Sequence, residues 1–161
     1  MLQTSATAAV TAEPAHCVLM LIRLPSFNDP ESLSITRVRD KNPLCLSHTR
    51  WDRTADMAKL DSPVERMRWP RHLEPTIIST ENGLDASLAE SIRRELSGIQ
   101  TSVHPETTSI GLDGTGYELR WTHEFTRASF RWWEEGPSEW QELANWFDRS
   151  WSRLSDAIAN L

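Results

Sequence analysis

The sharpest hydrophobic pattern lies in the last third of the chain. Tyr117, Leu119 and Trp121 alternate with Glu118, Arg120 and Thr122, and Ala128, Phe130 and Trp132 alternate with Ser129, Arg131 and Trp133. A period of two marks strands with one face buried, so the spacing predicts two strands turning through residues 122–126. Gly136-Pro137 breaks the second strand. Beyond it, Trp140, Leu143, Phe147, Trp151, Leu154 and Ile158 advance by three or four residues, the stripe of an amphipathic helix, with Ser138 and Gln141 spaced as a capping box.

Upstream the pattern is thinner. The apolar run 16–24 and the alternating segment 33–39 flank the turn-forming "PSFNDPES" and predict a hairpin with a long loop. Residues 75–80 form a third strand candidate, followed by Asn82-Gly83, a strong turn signal. Leu88, Ile92, Leu96 and Ile99 then mark a helix, with Ser87 and Glu90 as a capping box, Asp85 as the alternative N-cap and Gly98 as the stop. Periodicity fades between about residues 40 and 75, where four prolines and many charges predict irregular connections and a short helix near 54–60. The Ala/Thr/Ser-rich stretch 1–15 reads as a disordered tail. The order ββ(β)αββα predicts one α+β domain over 16–161, a two-layer sandwich with an antiparallel sheet of four to five strands and two main helices.

Composition adds limits. A chain of 161 residues, 39% hydrophobic and 25% charged, can bury one sizeable core. A net charge of −6 and pI near 5.4 argue against nonspecific binding to nucleic acid or membrane surface. The apolar run 17–22 is too short to span a bilayer, and the first fifteen residues lack the basic region of a signal peptide, so the expected location is the cytoplasm.

Eight tryptophans stand against one tyrosine. Trp121, Trp132, Trp140 and Trp151 share apolar stripes and are assigned to the core between sheet and last helix. Trp133 falls on the opposite strand face, beside Arg131 and Arg120, the aromatic-and-arginine composition of interface hot spots. A second such combination is Arg66, Arg68, Trp69 and Arg71, suited to gripping a phosphate backbone and stacking on a base.

Chemistry-bearing motifs are sparse. His16, Cys17, Cys45 and His48 do not form a metal-ligand pattern, because adjacent strand residues point to opposite faces; neither metal nor cofactor is expected. "GLDGTG" at 111–116 lacks the spacing of a nucleotide fingerprint and precedes a strand. His123 beside Glu124, at the predicted hairpin tip, is the one pairing suited to acid–base work. Glu134 and Glu135 precede a helix, where the macrodipole favours negative charge.

The segments "LDGTGYELRW", "FTRASFRWW" and "GPSEWQELANWFDRSW" together resemble a C-terminal pattern of small, mostly uncharacterised bacterial proteins. The match falls on Leu112, Asp113, Gly114, Tyr117, Leu119, Phe125, Phe130, Trp132, Trp133, Pro137, Trp140 and Leu143. The resemblance implies an immunity or accessory protein encoded beside a toxin, and attaches no catalytic motif. The leading expectation is therefore a protein-binding protein, an immunity- or antitoxin-like inhibitor or assembly subunit acting by occlusion, with Trp133, Arg131, Arg120 and Trp69 meeting a partner such as a basic toxin or nuclease. The alternatives are a small hydrolase or transferase using His123 and Glu124, and a nucleic-acid-binding accessory protein using Arg66, Arg68 and Arg71.

Overall fold

Six strands hydrogen-bond into a single antiparallel sheet, ordered β4-β3-β2-β1-β5-β6. They are β1 (Cys17–Pro25), β2 (Glu31–Arg37), β3 (Leu44–Trp51), β4 (Ile77–Leu84), β5 (Thr115–His123) and β6 (Thr126–Trp133). The helices are α1 (Leu2–Val10), α2 (Arg53–Leu60), α3 (Ala86–Gly98) and α4 (Gln141–Ala159). The computed structural model describes residues 2–37, 43–61, 63–64, 74–106, 111 and 113–160. The architecture is α+β, as the run of neighbouring strands predicts, with more strands than the expected four to five.

Strands β1 to β4 form a meander, and the chain then passes through α3 to place β5 on the free side of β1. Leu21 of β1 pairs with Leu33 of β2 and with Leu119 of β5, so three leucines stand side by side on one face of the sheet. Alternation aims Leu19, Leu21, Leu33, Ile35, Leu46, Leu119 and Trp132 at this front face. There Ile92 of α3 and Leu143, Phe147, Trp151 and Leu154 of α4 close the core. The four tryptophans assigned to the core lie here, Trp132, Trp140 and Trp151 buried and Trp121 half-buried. Trp146, on the flank of the α4 stripe, is fully buried with them.

The back face corrects the sequence reading. Residues 2–10, expected as a disordered tail, form α1. Leu2, Ala6 and Val10, one helical turn apart, pack against Trp51, with Leu60 and Ile77 alongside. The same face of the sheet buries Ser32, Ser34 and Ser47 beside Met20 and Ile22. The Ser32 hydroxyl donates to the Val10 carbonyl at 2.8 Å, satisfying one of the carbonyls that a helix end leaves without a partner. Because Ala6 is wholly buried, Ala6→Leu has no room and should lower the stability read by urea denaturation by about 1–3 kcal/mol. A silent substitution would refute the docking of α1.

Other local expectations shift. The region 40–75 contains β3, which was not foreseen, as well as α2, which was. Asn82-Gly83 is no turn: Asn82 pairs with Leu46 and Gly83 with Cys45 inside β4. Asp85, not Ser87, caps α3, its carboxylate accepting the Ser87 amide at 2.6 Å. Ser138 opens a 3-10 turn, Ser138–Trp140, ahead of α4 and makes no capping bond to the backbone.

Candidate functional site

Trp133, Arg131 and Arg120 all face the back of the sheet, as the alternation requires, but they do not form one free patch. Arg120 donates to the Thr11 carbonyl at 2.7 Å and, through Nε, to Glu118 at 2.7 Å, which ties the segment after α1 across β5. Arg131 donates to the other oxygen of the same carboxylate at 2.5 Å while remaining largely exposed. Burial raises the Glu118 pKa, but the hydrogen bonds from Arg120 and Arg131 outweigh it and hold the carboxyl below its ordinary value. Trp133 is half-buried, its indole lying against Gly111 and Gly114, where any side chain would collide with the ring. Trp69, Arg66, Arg68 and Arg71 lie outside the described residues.

His123 and Glu124 stand exposed at the β5–β6 turn. The His123 ring stacks on Trp121, with centroids 5.9 Å apart and planes at 19°. Among the described residues no ion pair joins it to Glu124. His48 pairs with Glu31 at 3.1 Å, Cys17 and Cys45 are free thiols, and no three metal-ligating side chains gather among the described residues. Burial first, and then the nearby Glu13 carboxylate, push the Cys17 thiol up to about 11, so it stays protonated at neutral pH and is a poor nucleophile.

A different place draws chemistry together. Where β5 begins and β6 ends, a crevice of about 230 Å³ opens between the sheet and the first turns of α4. Tyr117, Trp132 and Phe147 form its floor, with Tyr117 and Trp132 stacked at 5.7 Å and Phe147 edge-on to both. Glu134, Glu135 and Asp148 stand around it with Gln141 and Asn145. One Glu134 oxygen accepts the Thr115 amide, and Asp148 accepts from Arg23 at 3.1 Å. The Arg23 guanidinium also lies 4.2 Å from the Trp151 ring centroid, so this end of the core already holds one cation on an aromatic face beside a carboxylate. Burial and the Asp148 charge raise the Tyr117 pKa, keeping the phenol neutral.

The surroundings share that sign. From Glu134 to Asp148 the sequence carries Glu134, Glu135, Glu139, Glu142 and Asp148 and not one lysine or arginine. Glu139 accepts the Glu106 amide at 2.9 Å, bringing a sixth carboxylate close. The sequence reading accounted for Glu134 and Glu135 by the helix dipole alone. It missed the site because the cavity forms only when Tyr117 of β5, Trp132 of β6 and Phe147 of α4 meet across three elements.

No family model, curated protein or solved structure matches the chain. Among the described residues no helix is long and apolar enough to cross a membrane.

Proposed function

We propose that the chain is a protein-binding protein that occludes a basic partner, and that it docks through the acidic end of the molecule around the Tyr117–Trp132–Phe147 crevice. The observation that carries this reading is that Glu134, Glu135 and Asp148 stand around a cavity with an aromatic floor, within a run of five carboxylates of which, among the described residues, Asp148 alone has an ion pair, with Arg23. A lysine or arginine side chain of a partner would enter the crevice beside Glu135 and Asp148, and the surrounding carboxylates would steer its approach. An immunity- or antitoxin-like inhibitor is the specific form of this function that the resemblance at residues 112–143 favours. The contact surface moves from Arg120 and Trp133, which the chain itself covers in part, to the α4 end.

The test is capture of partners from native lysate by tagged wild type, by Glu135→Lys/Glu142→Lys and by Arg131→Ala/Trp133→Ala. A basic protein should bind the wild type and the Arg131/Trp133 variant. It should be lost from the charge-reversed variant and from all three at high salt. Retention by the charge-reversed variant, or loss only from the Arg131/Trp133 variant, would refute the acidic end as the contact surface.

A further inference from the structure

At the opposite end of the front face lies a second, larger concavity. It runs between α3 and the ends of four strands, where β1 and β3 begin and β2 and β5 finish, and encloses about 640 Å³. Val18, Leu19, Ile35 and Leu44 from the sheet, Leu96 from α3 and the Trp121 ring supply its apolar lining. That volume and composition are those of a small-molecule site, and apolar side chains reach it from both layers.

Several of its polar lining residues are exposed, as expected at a mouth. His16, Arg37, His123 and Glu124 line it and are exposed. Glu90 and Arg93, on the helix side, neutralise each other through two hydrogen bonds of 2.7 and 2.8 Å. Arg37 differs: among the described residues its guanidinium has no ion pair and no hydrogen bond. Its backbone amide donates to the His16 carbonyl at 3.1 Å, which sets these two residues side by side. Glu124, the carboxylate at the mouth, belongs to the turn beyond β5, two strands from β2, or about 10 Å at ordinary strand spacing. An anion on Arg37 therefore meets the guanidinium, with His16 the neighbouring lining residue, while Glu124 stands at a distance and Glu90 is paired with Arg93.

We propose that this groove binds a long-chain carboxylate, its hydrocarbon along the trough lined by Leu19, Ile35, Leu96 and Trp121 and its head group on the Arg37 guanidinium beside His16. Among the described residues, an apolar trough with an unpaired cation at one end matches a single-headed anionic amphiphile. A neutral peptide would leave that cation unused, and a cationic amphiphile would be repelled by it. The site is separate from the acidic crevice, at the other end of the strands, so the two readings can fail independently.

The full chain should be titrated with dodecanoate, dodecanol and dodecyltrimethylammonium by calorimetry, with methyl NMR shifts of Val18, Leu19 and Leu96 locating the site. Dodecanoate should saturate with shifts in those methyls. Arg37→Glu should weaken it at least about tenfold while leaving dodecanol unchanged. Leu96→Glu should abolish binding of both, and Glu135→Lys should alter neither. Should Leu96→Glu not fold, Arg37→Glu, on the exposed mouth, still decides the matter. Binding of dodecyltrimethylammonium as tightly as dodecanoate, shifts confined to other methyls, no saturable binding, or capture of an apolar peptide in preference to dodecanoate would each overturn the proposal.

Discussion

Asp56→Ala should be among the most damaging single substitutions in the chain, costing about 3 kcal/mol in urea denaturation. The Asp56 carboxylate is completely buried and holds three segments together. Its Oδ2 accepts the Trp51 indole N–H at 2.7 Å and the Thr76 amide at 2.8 Å. Its Oδ1 accepts the Thr76 hydroxyl at 2.5 Å and the Lys59 ammonium at 2.9 Å. Removing the carboxylate leaves the Trp51 and Thr76 donors without partners, at about 1–3 kcal/mol for each buried group that water cannot reach. Lys59 is half exposed and can turn to solvent, so it adds little. Trp51 also forms the floor on which α1 rests, so loss of this latch should loosen the back face before the front core.

The same carboxylate should give the protein an acid limb. Burial acts to raise its pKa, but the bonds from Thr76, Trp51 and Lys59 outweigh it and bring it from 3.8 down to about 2. A carboxyl depressed in the folded state binds its proton more readily when unfolded, so it stabilises the fold at high pH and not at low. The contribution, about 2 kcal/mol, is fully present above about pH 4 and is lost as pH falls through about 2. Other carboxylates, Glu118 among them, are also held low and add to the wild-type slope. The difference between the wild-type and Asp56→Asn profiles isolates this one. Parallel profiles from pH 5 to 2 would show that Asp56 does not titrate as its surroundings require.

What was legible in the sequence follows from which residues face which layer. β5, β6 and α4 could be read because their buried positions carry leucine, phenylalanine and tryptophan at regular spacing. β3 could not, because the residues it buries on the back face include Ser47, and the alternation there is polar against polar. α1 was hidden for the matching reason. α1 buries only Leu2, Ala6 and Val10 against Trp51, and the rest of its sequence is Ala/Thr/Ser-rich and resembles a tail. Leu2, Ala6 and Val10 at intervals of four were the available signal. The Asp56 latch joins residues up to twenty-five positions apart, Trp51 to Thr76, and no local pattern encodes it. For the candidate site, the aromatic floor was readable as core, but its meeting with the acidic turn depends on how α4 crosses the sheet.

The second large effect belongs to that floor. Phe147→Ala should cost about 3–5 kcal/mol. Phe147 is wholly buried, edge-on to Tyr117 at 5.5 Å and Trp132 at 5.3 Å, and stacked on Trp151 at 5.9 Å. Large rings on three sides cannot collapse into the space it would leave, so most of the cavity would persist, and each aromatic pair would forfeit its contact as well. Near-UV circular dichroism should fall with the urea midpoint, because Trp132 and Trp151 lose their fixed neighbour. Phe147→Leu fills part of the space and should cost distinctly less. Phe125→Ala and Phe27→Ala are the controls: their rings are 104% and 68% exposed, and each substitution should stay within about 0.5 kcal/mol of wild type. If the acidic crevice receives a partner's cationic side chain, Phe147→Leu should weaken that partner at temperatures where the fold is intact, because Tyr117 and Trp132 would no longer be held at their present angles. Unchanged partner affinity in a folded Phe147→Leu protein would separate the role of the ring in the core from any role in recognition.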